Sequence, residues 1–367
     1  MRILYITPDS TNSGGIARVL SLKLNYLTVT LGYQIEVITV CKTAKKPFYP
    51  FNKAIKFHHL GSGKSIITFP SHFLNYCNKT IAAFQPDLVV VCDAALSSII
   101  PYFIKTRAPI LFETHVSTSL KQVTKQNLFD KIRFRAVFFT KKIAFAKYSK
   151  IIFETTAGRD EWQLSNAVVI PNPLAFISSN LAPLNQKKVI AVSRHSYEKG
   201  IDRLLYIWQK IIQTHPDWTL EIYGEWDSDL KYQKLAAELK IETNCNFFAP
   251  NSAIQKCYEE ASIMLLTSRS EAFGMVLIEA MQCGLPCVAY DCPCGPRDII
   301  TNGTNGFLIE NDKEKEFVSK VNQLIDNQSL RKKLGKQAKD DSKKYEISTI
   351  MKQWVQLFEN QIKGLED

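Results

Sequence analysis

The sequence predicts an α/β protein built from two doubly wound, parallel-sheet domains, and three observations carry that expectation. Short apolar, β-branched segments recur between stretches of helical length, the alternation that builds parallel sheets. The rhythm breaks once, over a Pro- and Asn-containing stretch near residues 173 to 186, and then restarts. The length, 367 residues, exceeds one ordinary core and suits two.

Taken in order, the strands of the first half are "RILYIT" (2–7), "QIEVITV" (34–40), "DLVVVC" (87–92), "PILFET" (109–114), "KIIFET" (150–155) and "AVVIPN" (167–172). Those of the second half are "KVIAVSR" (188–194), "LEIYGE" (220–225), "CNFFAP" (245–250), "SIMLLTS" (262–268) and "PCVAYD" (286–291). Each half is Rossmann-like, with a ligand cleft expected between the two. We place the N-terminal domain at residues 1–178, the C-terminal domain at 179–345 and a last helix at 346–367. That helix carries Trp354 and Phe358 at helical spacing and is expected to pack on a core, with the N-terminal domain the candidate.

Composition is that of an ordinary soluble globular protein, with 46% hydrophobic and 22% charged residues. No apolar run approaches the roughly 20 residues that span a bilayer. Met1 and Arg2 lead straight into a strand-like segment without a signal-peptide pattern, so the chain is expected in the cytoplasm. Nine cysteines, an odd number in apolar contexts, do not read as a secreted disulfide framework. The group Cys283, Cys287, Cys292 and Cys294 matches no zinc spacing. Charge is uneven. Residues 1–180 hold 22 Lys+Arg against 9 Asp+Glu, net +13, whereas residues 181–367 hold 24 against 26, net −2. An anionic partner is therefore expected for the first half alone.

Ligands of parallel sheets bind at the carboxyl ends of the strands, where helix N-termini present free N–H groups. Three loops lie there. After the first strand, Gly14 and Gly15 open a helix and let backbone approach an anion, although any tight turn uses such a pair. In "SRHSYEKGIDRLL", Arg194 and Lys199 bracket a helix start and can clamp a diphosphate, or serve as solvated loop charges. In "SRSEAFGMVLIEAMQCGLPCVAYD", a loop turns into a helix near Phe273. Glu271 precedes that helix, exposed, beside unpartnered amides; Glu279 sits two turns on, where an average helix has a surface glutamate.

Those segments, with "EIYGE" and "TNGTNGFLI" in that order and spacing, resemble family 4 of the retaining glycosyltransferases, a resemblance covering nearly the whole chain. It implies the GT-B fold, no metal and no cofactor. Glu271 and Glu279 match the family's E-x7-E signature, the first facing the donor sugar and the second holding the ribose. Arg194 and Lys199 match its diphosphate ligands, joined by the backbone of Phe273, Gly274 and Met275; Gly14 and Gly15 match the loop that closes over the donor. His115, in "FETHVS", matches a histidine facing the donor hexose, where a core histidine is the plainer reading. Glu271 and His115 are thus the expected catalytic pair. An Asp-x-Asp at Asp227 and Asp229, the metal-holding form of another glycosyltransferase fold, reads here as helix capping.

The stretch "DCPCGPRDII" resembles family members using UDP-hexoses (UDP-Gal, UDP-Glc or UDP-GalNAc) in bacterial polysaccharide, lipopolysaccharide or glycoprotein-glycan assembly; GDP-mannose is the alternative donor. Residues 121–150 contain nine basic residues and one acid, Asp130, together with Phe129, Phe134, Phe138, Phe139 and Phe145. Lys131, Arg135 and Lys142 share a helical stripe. This mixture suits the inner face of the plasma membrane and a polyprenyl-pyrophosphate-linked glycan acceptor, or a solvated helix with its aromatics in the core. The expected state is cytoplasmic and peripheral. A nucleic-acid binder would need a recognition module, and none is legible. A catalytically silent sugar-nucleotide-binding subunit would lack Glu271, Arg194 or Lys199, and all three are present.

Overall fold

The computed structural model describes residues 1–8, 10–39, 47–60, 69–93, 97–115, 138–226 and 228–364. Contacts divide them into two compact units. One holds residues 1–115, 138–175 and 347–364, the other residues 176–346.

The first unit contains β1 (Arg2–Thr7), α1 (Gly15–Asn25), β2 (Gln34–Thr39), β3 (Lys56–His59), α2 (Phe69–Phe84), β4 (Leu88–Cys92), α3 (Ile100–Phe103) and β5 (Ile110–Glu113). There follow α4 (residues 138–145), β6 (Lys150–Phe153), α5 (Thr156–Trp162) and β7 (Ala167–Val169). The sheet runs β3-β2-β1-β4-β5-β6-β7, every pairing parallel. Strand order reverses beside β1, the arrangement that opens a crevice at the carboxyl ends of β1 and β4. Because helices cover both faces, the central strands are apolar throughout: all five residues of β4 are buried. On one face Ile3, Tyr5, Leu20, Leu24 and Val90 pack with Ile350, Met351, Trp354 and Phe358. The latter four belong to α13 (Ile347–Lys363), so the last helix completes the core of the first unit.

The second unit comprises β8 (Lys188–Val192), α6 (Ile201–Ile211), β9 (Thr219–Tyr223), α7 (Lys231–Glu238), β10 (Cys245–Phe248), α8 (Ile254–Glu259), β11 (Ile263–Leu266) and α9 (Met275–Gln282). It continues with β12 (Cys287–Asp291), α10 (Pro296–Ile299), β13 (Gly306–Glu310), α11 (Glu314–Asp326) and α12 (Gln328–Ser342). Its sheet order is β10-β9-β8-β11-β12-β13, again parallel throughout. In α6, Leu204, Leu205, Trp208 and Ile211 recur at helical spacing and bury against Leu220, Ile222 and Val288 of the sheet.

Two strands escaped the sequence reading. β3, "KFHH", is short and mostly polar, as an edge strand is. β13, "GFLIE", lay inside a segment read only as a motif. No helix among the described residues is long and apolar enough to cross a membrane.

Candidate active site

In the second unit, the chain leaving β8 makes a 3-10 turn over Tyr197–Lys199 and enters α6 through Gly200. Gly200 has φ +65°, and a Cβ there would lie 2.2 Å from the Thr267 carbonyl oxygen at the end of β11. Only glycine lets the turn rest on that strand end. The loop leaving β11 approaches from the other side. Both carboxylate oxygens of Glu271 lie 2.8 Å from the Lys199 ammonium, and Ser268 Oγ donates to Glu271 Oε1 at 2.6 Å. Glu271, expected exposed, is buried. The salt bridge satisfies it, and that partner lies too far along the sequence to be read locally.

Arg269 fastens the same two loops. Its guanidinium grips Asp202 through two bonds (2.8 and 2.6 Å), donates to the Tyr197 carbonyl at 2.7 Å and lies 4.0 Å from the Tyr197 ring centroid. Its backbone N–H donates to Glu198 O at 2.7 Å. Arg194, one turn earlier, has a 61% exposed side chain that reaches Glu198 at 3.4 Å. After Glu271 the chain reaches Gly274, at φ +99°, and starts α9 at Met275, two residues later than expected. Gly274 is the N-cap, in a left-handed conformation that a side chain would strain, and its neighbours' amides head the helix. Glu279 is fully buried inside α9, with Oε2 3.3 Å from Tyr258 Oη. A surface glutamate is therefore the wrong description of it.

In the first unit, Gly14 caps α1 and its N–H donates to Asn12 Oδ1 at 2.8 Å; beside Gly15 there is open space where a Cβ would stand. His115 follows β5. Its side chain is 3% exposed, with Nδ1 2.6 Å from Glu154 Oε1 and Nε2 3.3 Å from Glu113 Oε1. Burial alone would lower its pKa, but the Glu113 and Glu154 carboxylates raise it well above the ordinary histidine range. Conversely, Glu113 sits well below the usual carboxylate range: burial opposes ionisation, and Lys23 and His115 outweigh it.

Of the stripe Lys131, Arg135 and Lys142, the first two lie outside the described residues. Lys142 is on α4 with exposed Phe139 and Ile143, whereas Phe145 is buried and Phe138 stacks on Trp162, centroids 4.5 Å apart. The described aromatics of this segment thus divide between core and surface. Asp227 also lies outside the described residues; Asp229 accepts the Lys231 N–H at the start of α7, 3.4 Å. Cys283, Cys287, Cys292 and Cys294 are buried.

Two parallel α/β units, one with a cation–carboxylate cluster where a loop meets a helix N-terminus, meet a matching sequence family. Residues 175–341 match the family described as glycosyl transferases group 1. The two units have the GT-B fold, and the second unit carries the match to that family. It is 27% identical to an uncharacterized glycosyltransferase of Haemophilus influenzae, over 96% of this chain and 98% of that one. It is 24% identical to the amylovoran biosynthesis glycosyltransferase AmsD of Erwinia amylovora, with the same coverage. Among solved structures, the apo lipopolysaccharide outer core galactosyltransferase WaaB aligns with TM-score 0.75 and 21% identity, over 99% of both chains. Anabaena HepE in complex with UDP and glucose aligns with TM-score 0.76 and 18% identity, over 98% of this chain and 99% of that one. At these identities the structures speak for the fold.

Sequence reasoning missed three features. Arg269 sits inside the "SRSEAFG" loop, where the local pattern gives it no role. Ser268 was likewise passed over. His195, between Arg194 and Ser196, is buried with no hydrogen-bond partner on either ring nitrogen among the described residues. Its adjacency to Arg194 was the only local signal.

Proposed function

We propose that this glycosyltransferase moves a hexose from a nucleotide sugar to a lipid-linked glycan with retention of anomeric configuration, in assembly of a bacterial surface polysaccharide or related glycan. The observation that carries this reading is the Lys199–Glu271–Ser268 cluster at the N-terminus of α9. A departing nucleoside diphosphate develops negative charge, which fixed cations and preorganised amides stabilise. Lys199 and Arg194 supply the cations, and the backbone of Phe273, Gly274 and Met275 supplies the helix-end dipole. Glu271, beside Lys199, accepts sugar hydroxyls and stabilises the oxocarbenium-like centre. Glu279 binds the ribose, and Gly14 and Gly15 admit the diphosphate against α1. No covalent nucleophile is assigned; attack occurs on the face the diphosphate leaves, with its oxygen taking the acceptor proton. The cations perform the charge neutralisation without a metal.

UDP-galactose, UDP-glucose or UDP-N-acetylgalactosamine is the donor we favour, because relatives include the lipopolysaccharide 1,6-galactosyltransferase of Salmonella typhimurium and the poly(glycerol-phosphate) alpha-glucosyltransferase of Bacillus subtilis. The acceptor and the inner membrane surface meet the basic half, net +13. Phe139, Lys142 and Ile143 share one face of α4, two exposed apolar groups beside a cation, as an interfacial helix does. The test is a screen for UDP or GDP release from a panel of nucleotide sugars, run alongside Glu271→Ala. Turnover with a UDP-hexose, abolished in the variant, is expected. Release of GDP alone identifies a mannosyl-type donor, and undiminished turnover in the variant removes Glu271 from the site.

A further inference from the structure

The first unit buries more charge than a core tolerates without reason. Lys23, on the inner face of α1, is fully buried. Its ammonium lies 2.5 Å from Glu113 Oε1 and 3.5 Å from the centroid of the Trp354 ring on α13. Glu113 Oε1 is in turn 3.3 Å from His115 Nε2, and His115 Nδ1 is 2.6 Å from Glu154 Oε1. Asn172 Nδ2 donates to that same Glu154 oxygen at 2.6 Å. The His115 backbone N–H donates to Asp93 Oδ2. Cation and anion alternate along this chain of contacts, from the C-terminal helix to the carboxyl ends of β5 and β6. Each burial is costly alone and tolerable only as a paired set.

Cys92 Sγ, a Glu113 oxygen and a His115 nitrogen lie within 4.8 Å of one another, close enough to suggest a metal. The Lys23 ammonium already pairs with Glu113 Oε1, and burial pushes the Cys92 thiol up to about 12. The other groups facing this cluster agree. Tyr5 on β1 is driven upward by burial and by Glu113, and stays neutral. Asp93 is raised by burial to about 6, while His115 and Lys141 of α4 oppose the rise.

We propose that Lys23, Glu113, Glu154 and Asn172 are positioning residues that hold His115 as an imidazolium, Nδ1 bonded to Glu154 and Nε2 facing Glu113 at 3.3 Å without a hydrogen bond, with Trp354 closing the far end over Lys23. The ring is then a fixed cation balanced by its carboxylates rather than a base, and the last helix belongs to its support. The catalytic meaning of this charge rests on the nucleotide-sugar reading above, where an anionic donor benefits from it.

The test begins with the unmodified protein. Selective 15N labelling of histidine reports both imidazole nitrogens of His115 between about pH 6 and pH 9. They are expected to stay protonated through the range in which a free imidazole loses its proton. In Glu154→Gln, which keeps shape and removes one charge, the His115 titration is expected to fall by ~1–3 units. In the same variant kcat should drop by about ten- to a hundredfold, with the donor KM little changed and the alkaline limb of the pH profile moved toward neutrality. A His115 that titrates near 6.5 in the wild type, or that Glu154→Gln leaves unmoved, overturns the proposal. Both outcomes are read without turnover. Failure of every nucleotide sugar in the donor screen would instead sink the donor reading and leave the titration result standing.

Discussion

His195 gives a prediction whose size follows from its surroundings. The ring is buried among Trp226, Phe247 and Tyr232, centroids 5.6, 5.5 and 6.2 Å away, with no hydrogen-bond partner among the described residues. Burial holds its pKa down at about 4 against an ordinary 6.5. The folded value is the lower one, so the residue's contribution to stability is intact above about pH 6.5. It is lost as pH falls, because the unfolded chain takes up a proton that the folded chain refuses. From those two values the loss is about 2 kcal/mol at pH 5 and close to nothing at pH 7.5. His195→Phe keeps a ring of similar size and removes the titration. Denaturant unfolding of both proteins at the two pH values is the assay. Other titrating groups are common to both proteins and cancel in the difference. The variant should gain about 2 kcal/mol on the wild type at pH 5 beyond any gain at pH 7.5. An equal gap at both pH values would show that the ring protonates freely in the folded state, and the argument from burial would be wrong.

Glu271→Gln should bind UDP about tenfold more tightly, because it releases the Lys199 ammonium from a half-buried ion pair, while transfer falls steeply; calorimetry and turnover read the two effects, and weaker UDP binding would count against Lys199 as a diphosphate ligand. Arg269→Ala should cost about 2 kcal/mol of stability and raise the donor KM, since the Lys199 turn loses its fastening to the Glu271 loop; an unchanged KM would make Arg269 structural only. Turnover should survive exhaustive chelation, whereas complete loss with EDTA restored by manganese or magnesium would assign the charge neutralisation to a metal. Changing Lys131, Arg135 and Lys142 together to glutamine should weaken salt-sensitive binding to anionic liposomes, each cation counting for about 1 kcal/mol; wild-type sedimentation of the triple variant would make the segment a solvated face.

What the sequence made legible is what local pattern can carry. A buried parallel strand announces itself as an apolar run, so "LVVVC" and "IMLL" were read nearly to the residue. The "KFHH" edge strand has one covered side and no such run. The loop glycines were visible as glycines, yet the reason for Gly200, the Thr267 carbonyl beneath it, exists only once β11 lies beside the turn. Burial of charge was the least legible property. In "GIARVLSLKLN" Lys23 reads as the polar face of an amphipathic helix; its burial depends on Glu113 and on Trp354 near the other end of the chain. His115 could be singled out only by resemblance, and its two carboxylate neighbours come from different strand ends.

The two charged clusters differ in a way that bears on their roles. Lys199 and Glu271 form a pair whose members retain partial access to water, 19% and 8% of the side chains, at the head of a helix. An anionic ligand can compete for Lys199 there, because water and the α9 dipole lower the cost of parting the pair. Lys23 and Glu113 are sealed at 0% and 3%, and separating them would strand two charges in a low-dielectric core. The first pair is therefore built to exchange partners and the second to keep them. On the proposed function, the exchangeable pair is the one suited to meet a diphosphate that must later be released. Exchange and fixity are thus reached with the same two residue types at different depths from solvent.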